Sequence, residues 1–300
     1  MAAPSTSAAA ASTAEQDALR ASTFQRLHPK VYLERFLAEG VRPDGREFGE
    51  WRDVSVNVGS ISTADGSALV RMGDTTVVCG VKAEIAEPEL DSPGDGFLVP
   101  NLDLPAICHP KFKPGPPTEE AQVLSDRLND VLVASGIVPL PSLCIEPGKA
   151  VWVLYVDATC INYDGNAFDA TLLAMVAALR NSTYPSHFPP PPRLPKARYD
   201  EETGRTVCSR MERIPLPAPR LPLSMSFGIF DATHVLSDPT SFEEPLLDTT
   251  ISVAVDEAGG LVSVTQLGLG IVGNQSILMQ CIAAAKERRS ELGKRVSNTS

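Results

Sequence analysis

Four acidic residues lie close together in the last third of the sequence: Asp238, Glu243, Glu244 and Asp248. Carboxylate oxygens are the ligands that Mg²⁺ prefers, so this spacing could hold a hard metal ion. A magnesium site for phosphate chemistry also needs a basic group to hold the substrate phosphate, and none stands in this segment. We therefore favour the alternative, a solvated acidic loop beside Pro239, and predict no metal site.

A second cluster combines basic and aromatic side chains. The segment HPKFKPGPP places Lys111 and Lys113 on either side of Phe112. Lysines contact the phosphates of nucleic acids, and an exposed aromatic ring can stack on a base, so this cluster is a candidate for RNA contact. The alternative is a pair of solvated lysines in a loop, and we give that reading more weight.

The glycines at 268, 270 and 273 spell G-x-G-x-x-G between an expected strand and an expected helix, which is the context of a dinucleotide fingerprint. The expected strand belongs to a hairpin, however, and no second parallel strand follows the helix to carry a ribose-binding acid. We interpret the motif as a strand-to-helix loop and predict no nucleotide cofactor.

Neither the cysteines nor the histidines have the spacing of a zinc site, and no Ser/His/Asp or Cys/His arrangement stands out. The cysteines are Cys79, Cys108, Cys144, Cys160, Cys208 and Cys281, and the histidines are His28, His109, His187 and His234. We expect reduced thiols and a reducing compartment, the nucleus or the cytoplasm. Side-chain chemistry alone therefore identifies no catalytic residue and no cofactor.

Composition and charge exclude two further classes. The chain has 300 residues, with 26 basic against 37 acidic side chains and a net charge of −11. Such a charge, evenly spread, repels a phosphate backbone, so we do not expect non-specific nucleic-acid binding by the isolated chain. No apolar run approaches the ~18 residues that a membrane span needs, so we do not expect this chain to cross a membrane.

Hydrophobic periodicity indicates the strands that would position these residues. Period-two alternation from Gly66 to Ile85 predicts a hairpin that turns at Gly73-Asp74. The almost wholly apolar run Ala150 to Ile161 predicts a central strand. The proline-rich stretch from Pro88 to Pro117 predicts a long loop or arm, because proline cannot donate to a sheet.

Two helices are predicted beside those strands. Thr118 can cap the first, which has an apolar stripe at Ala121, Leu124, Leu128, Val131 and Leu132. The turn Tyr163-Asp164-Gly165 leads to the second, with Asn166 as its cap and Asp169 reaching back to that cap. This helix, Ala167 to Leu179, is apolar nearly all round, so we expect it to be enclosed by other elements.

The second half of the sequence predicts further strands, a hairpin turning at 257–260 and a last helix from Asn274 to Leu292. We divide the chain into a disordered tail (1–28), a first lobe (29–185), a proline-rich linker with a charged hairpin (186–221), a second lobe (222–292) and a short end (293–300).

Separated blocks of the sequence resemble RNase PH-type proteins. The stretch GVRPDGREFGEWRDVSVNVGSISTADGSALVRMGDTTVVCGVKAEI resembles the opening of that family, with Arg42-Pro43-Asp44-Gly45-Arg46 as one of its marks. The resemblance continues in FLVPNLDLPAICHPKFKPGPPTEEAQ, IEPGKAVWVLYVDATCINYDGNAFDATLLAMVAAL and DTTISVAVDEAGGLVSV. The resemblance covers residues 30–292. Within the family, the sequence is similar in particular to ring subunits of the eukaryotic RNA exosome.

The resemblance implies an α+β fold of the RNase PH type. It further implies a hetero-hexameric ring of RNase PH-like subunits around an RNA channel, with S1/KH-type cap proteins and a separate exoribonuclease as partners. Such complexes process and degrade RNA from the 3′ end, including rRNA and mRNA, in the nucleus, its nucleolus and the cytoplasm.

The sequence departs from the catalytic members of this family at two places. Asp164-Gly165 continues as Asn166-Ala167-Phe168-Asp169 without a Gly-Thr-Arg phosphate clasp, and the hairpin reads Asp248-Thr249-Thr250 where the catalytic pattern repeats the aspartate. Phosphoryl transfer depends on those charges. We therefore predict an inert, structural subunit.

The resemblance also suggests an RNA contact. The helix after Thr118 has Val123 and Leu124 where RNA-binding relatives have arginine, which leaves Arg127 beside Lys111 and Lys113 as predicted RNA contacts. One alternative is an active phosphorolytic 3′-to-5′ exoribonuclease that uses Asp238, Asp248 and a neighbour's arginine. Another is an RNA-independent adaptor that uses the 88–117 arm.

Overall fold

The computed structural model describes residues 6–180, 193–200, 205–215, 220–268 and 275–298. A six-stranded sheet forms the first lobe, in the order β1-β2-β3-β6-β4 with β5 also on β6. All pairs are antiparallel except β4 with β6. The strands are β1 (Val54–Val58), β2 (Gly66–Met72), β3 (Thr75–Ala86), β4 (Phe97–Asp103), β5 (Cys144–Glu146) and β6 (Ala150–Asn162).

The second lobe is a four-stranded antiparallel sheet in the order β10-β9-β11-β12. Helix α5 (Gln275–Asn298) packs on β9 and β11. Between the lobes in sequence, β7 (Arg193–Asp200) and β8 (Arg205–Pro215) form a separate hairpin, as the sequence predicts. The strands of the second lobe are β9 (Leu223–Phe230), β10 (His234–Ser237), β11 (Thr249–Val255) and β12 (Leu261–Gly268).

Two helices of the first lobe lie at the junction between the lobes. Helix α4 (Ala167–Arg180) packs on β2 and β3 from one side and on β9 from the other, and residues 167–179 are all buried, which agrees with the enclosed helix we expected. In α3 (Glu119–Ser135), the Thr118 side chain accepts a hydrogen bond from the Ala121 amide at 3.3 Å, and the helix ends at left-handed Gly136. The start of α3 follows from local sequence, whereas the Asn166 side chain does not cap α4 as we predicted, because Asn166 Oδ1 has no hydrogen-bond partner.

Three features differ from the predicted elements. The Pro88–Pro117 stretch contains β4, which tolerates Pro100 because it is an edge strand. The segment predicted to be a disordered tail contains α1 (Thr6–Leu27), and alanine has the highest helix propensity of any residue. Helix α5 continues to Asn298, beyond the boundary we drew at 292.

The first part of the chain also packs on the second lobe, although we assigned it to the first. Helix α2 (Pro29–Ala38), expected within the first lobe, buries Leu33 and Leu37 against Phe230 and Leu236 of the second lobe. Among the described helices, none is both long and apolar enough to cross a membrane. Much of the G-x-G-x-x-G motif, the Asn274 cap and the FPPPP linker lie outside the described residues.

Candidate functional site between the lobes

The turn before α4 brings the two lobes into contact. Gly165 has φ +77°, and Asn166 follows with φ +50°, a left-handed conformation that asparagine tolerates better than most residues. The backbone of residues 239–241 lies so close to Gly165 that a Cβ there would be 2.5 Å from the Thr240 carbonyl carbon. Glycine is required here both for its backbone conformation and for this close approach.

Asp169, in the first turn of α4, connects the helix to the second lobe. Its carboxylate accepts hydrogen bonds from the Ser226 amide at 2.6 Å and the Ser226 hydroxyl at 2.9 Å. It also accepts one from Asn166 Nδ2 at 2.9 Å, but the backbone amide of Asn166 donates to Glu244, so the predicted reciprocal cap between Asn166 and Asp169 does not form. Burial raises the pKa of Asp169 despite these bonds.

Asp238, one of the four predicted acidic residues, is fully buried and paired with arginine. Arg52 donates to it through Nε at 2.8 Å and Nη2 at 2.7 Å, and Asn166 Nδ2 donates at 2.7 Å. Burial alone would raise the pKa of Asp238, but the hydrogen bonds and charge of Arg52 hold it below its usual value. This carboxylate is engaged by donors and is not available as a metal ligand.

Glu243 is buried in the same way, by a different arginine. Arg42, which the sequence analysis noted only as part of a family mark, donates through Nε at 2.9 Å and Nη2 at 2.5 Å to the Glu243 carboxylate. Arg42 also donates to the carbonyl oxygens of Ser237 and Asp238. Two arginines from the start of the first lobe thus hold the loop that follows β10.

Glu244 faces the N-terminus of α4. Its Oε1 accepts a hydrogen bond from the Asn166 amide at 2.7 Å, and its Oε2 accepts one from the Tyr163 hydroxyl at 2.5 Å. Burial raises the pKa of Glu244, and burial together with the neighbouring Glu244 charge raises the pKa of Tyr163. A carboxylate therefore already occupies the end of the helix dipole that would attract an anion.

Asp248 is exposed and accepts a hydrogen bond from the Asp231 amide at 2.8 Å. Asn166 donates to both Asp238 and Glu244, but no three His, Cys, Asp or Glu side chains in the described part of the chain converge as a metal site. The preferred interpretation of a solvated acidic loop is also wrong for Asp238 and Glu243. The arginines that bury them are remote in sequence, so no local pattern could indicate the pairing.

A cavity of about 500 Å³ lies beside this junction, between α3, the start of α4 and β11–β12. Arg127 lines it, donates from Nη2 to the Ser252 hydroxyl at 3.0 Å and stacks 4.2 Å from the centroid of the Phe168 ring. Burial lowers the pKa of Arg127. The cavity wall also includes Val123 and Leu124, which are apolar at the positions noted above.

The basic loop is arranged differently from the prediction. Lys111 Nζ lies 3.0 Å from both Glu120 Oε1 and the Tyr163 hydroxyl, which places it at the edge of the cavity. Phe112 is only 4% exposed and packs edge-on against Tyr163, so it does not offer the stacking face that the candidate RNA contact would use. Lys113 is exposed and does not line the cavity.

Sequence reasoning missed the residues that join the lobes. Arg52, Ser226 and Ser252 showed no local signal, and Arg42 and Arg46 appeared only as letters of a motif. A larger hollow of about 640 Å³ opens near Arg46, whose Nε donates to Asp44 at 2.7 Å. The arginines that line this larger hollow are already paired with carboxylates of the same wall and are not free to hold a ligand. We therefore place the candidate site at the smaller cavity.

Both lobes match the domains of one protein family. Residues 50–185 match domain 1, and residues 220–288 match domain 2, of the 3′ exoribonuclease family, RNase PH. The chain belongs to this family, and its mixed helices and sheets confirm the predicted α+β RNase PH fold.

Individual relatives are similar over most of their length. "Exosome complex component rrp43" of Schizosaccharomyces pombe is 40% identical over 267 residues, covering 89% of this chain and 94% of the relative. "Exosome complex component Rrp42" of Thermococcus gammatolerans is 36% identical over 258 residues, covering 86% and 90%. A solved chain of an Archaeoglobus fulgidus exosome, with RNA bound to its active site, has 31% identity and a TM-score of 0.76, covering 89% and 96%.

Proposed function

We propose that this chain is a catalytically inert ring subunit of an RNA exosome. Its similarity to exosome components supports the assembly, and the occupied anion position at α4 supports the lack of activity. At the start of α4 a phosphate would need free donors, but Glu244 of the second lobe already accepts the hydrogen bond of the Asn166 amide. Asp169, in the first turn of α4, places a second carboxylate beside Asn166. Two carboxylates at a helix start repel a phosphate.

The alternative of a composite phosphorolytic site loses one of its two carboxylates. Asp238 is engaged by Arg52, and Asp248 is exposed and bound to the Asp231 amide. An arginine from a neighbour would add a cation but would not release the Asp238 carboxylate. The function is then structural: the chain scaffolds the ring and supports 3′-to-5′ RNA processing and degradation by a separate nuclease.

The partners of this function are other RNase PH-like subunits, S1/KH-type cap proteins and RNA in the channel, in the nucleus, including the nucleolus, and the cytoplasm. For RNA contact we propose Lys113, which is exposed, together with Lys111 and Arg127 at the cavity. Replacing Lys113 with Glu in the assembled complex should weaken RNA retention. Lys286→Glu, at an exposed lysine of α5, makes the same change in net charge and is the matched control.

Native mass spectrometry of the tagged chain from its own cells tests the assembly, and a phosphorolysis assay on the same sample tests the chemistry. We expect a ring of distinct RNase PH-like chains and no phosphate-dependent release of nucleoside diphosphates that depends on this subunit. If release persists, Asp248→Asn, which changes the exposed carboxylate of the alternative site, assigns it to this subunit or excludes it. A homo-oligomer that consumes phosphate and shortens RNA would overturn the proposal.

A further inference from the structure

The N-terminal helices have an apolar surface that the second lobe does not cover. Helix α2 buries Leu33 and Leu37 against that lobe, while Val31, on another face of the helix, is 41% exposed. Leu27, at the end of α1, is 68% exposed. Leu27 and Val31 are four residues apart, and both are exposed where the second lobe does not cover the N-terminal helices.

Three exposed cations are close to Leu27 and Val31 in sequence, Arg26, Lys30 and Arg35, and Lys30 Nζ also lies 5.7 Å from the centroid of the Phe230 ring. The Arg35 guanidinium lies 4.7 Å from the centroid of the Phe24 ring, which shows that α1 and α2 fold against each other. We call Leu27, Val31 and these three cations the outer helix surface.

The charge of this segment is opposite to that of the whole chain. Residues 20–36 contain four basic side chains, these three and Arg20, against the single acid Glu34, whereas the whole chain has 26 basic and 37 acidic residues. A positive, apolar surface on an acidic protein is complementary to a ligand that is acidic and apolar.

We propose that the outer helix surface binds an acidic segment of a partner protein. Apolar side chains of that segment would cover Leu27 and Val31, and its carboxylates would meet Arg26, Lys30 and Arg35. A protein fits better than a nucleic acid, because aliphatic side chains offer no stacking face for a base and Arg35 lies over the Phe24 ring. The surface lies outside the candidate site, so the proposal is independent of the catalytic question.

Zero-length carbodiimide cross-linking of the complex purified from its own cells tests this contact. The reagent joins an amine to a carboxylate that touches it, so we expect Lys30 to link to an Asp or Glu of another chain, with apolar residues beside it. Replacing Leu27 and Val31 with Ser should lower the yield about fivefold or more. Leu90→Ser, at a loop residue that is 99% exposed, should leave the yield unchanged.

A second variant separates the role of the Lys30 charge in binding from the reactivity of its amine in cross-linking. Lys30→Arg keeps the cation and removes the reactive amine, so the cross-link should vanish while the partner still copurifies. Three results would overturn the proposal: Lys30 links only within its own chain, the Leu27/Val31 double variant cross-links as well as the parent, or ultraviolet light links RNA to Phe24 or Tyr32. Loss of the whole ring in the double variant would also overturn it, because the surface would then belong to the ring contacts.

Discussion

At the scale of residues, the lobe junction is held by buried charges with specific partners. Arg52 and Asp238 are within hydrogen-bond distance and both nearly inaccessible. Removing one member of such a pair leaves the other charge buried without a partner, which costs far more than the intact pair contributes. Mutations that remove one charge therefore test whether this junction has the described geometry.

Asp238→Asn is expected to lower the free energy of unfolding by about 3 kcal/mol or more, because the buried Arg52 would lose its nearest counter-ion and keep only the longer contact to Asp164 at 3.4 Å. Asparagine tolerates the positive φ of this residue, so backbone strain does not contribute. Asp231→Asn is the matched control: Asp231 also has positive φ but is exposed, and the change should stay within about 0.5 kcal/mol. Chemical denaturation measures both, and equal effects would contradict the buried pair.

The raised pKa of Glu244 predicts a pH dependence. The folded state holds the proton more tightly than the unfolded chain, so ionisation costs stability as pH rises from the ordinary value of 4.5 through the folded pKa. Glu244→Gln should therefore gain stability relative to the parent protein over that interval, as measured by unfolding between pH 4 and 8. Tyr163→Phe, which removes a donor to the carboxylate, should steepen the parent's slope. Parallel curves for Glu244→Gln and the parent would contradict the assignment.

At the scale of elements, the turn before α4 carries the close contact between the lobes. Gly165→Ala would strain a left-handed backbone and push a Cβ into residues 239–241. We expect a loss of about 3 kcal/mol or more. Gly148→Ala isolates the backbone contribution, because Gly148 has a similar φ of +75° with no atom within 4 Å of the added Cβ, and should cost about 1 kcal/mol. Similar melting temperatures for the two variants would show that the lobes do not meet here.

The elements that could be predicted from the sequence are those that local patterns determine. The β2–β3 hairpin follows from period-two alternation, α3 follows from its Thr118 cap and apolar stripe, and α4 follows from its apolar composition. Strand β4 was missed because Pro100 argues against a strand, whereas an edge strand beside β6 has room for a proline.

The site was less predictable than the elements. The pair of Arg42 and Glu243 joins positions 201 residues apart, and that of Arg52 and Asp238 joins positions 186 apart, so only the fold brings them together. Arg127 was identified through the family resemblance, and its stacking on Phe168 depends on the packing of α3 beside α4. Periodicity reports burial, but it does not report the partner of a buried charge.

At the scale of the whole molecule, β12 is the open edge of the second sheet and exposes Leu261, Val264 and Leu267. An edge with apolar side chains is suited to pairing with another chain. Val264→Glu should leave the free chain stable within about 0.5 kcal/mol while reducing its incorporation into the ring. Ile107→Glu, at an exposed loop residue, should assemble normally. Size-exclusion chromatography of reconstituted rings measures this, and normal incorporation of Val264→Glu would place the ring contact elsewhere.

Both lobes contribute to one apolar core, because α4 is buried between the first sheet and β9. Two tryptophans report the lobes separately: Trp152 lies in β6, and Trp51 packs edge-on against Phe227 of β9 at 5.4 Å. Trp51→Phe and Trp152→Phe each leave one probe. With α4 shared, neither lobe can lose its packing without exposing the apolar surface of the other, so both probes should follow one unfolding transition in urea. Fluorescence transitions that differ between the variants, after correction for any stability change, would mean that the lobes unfold independently and that the enclosed helix does not couple them.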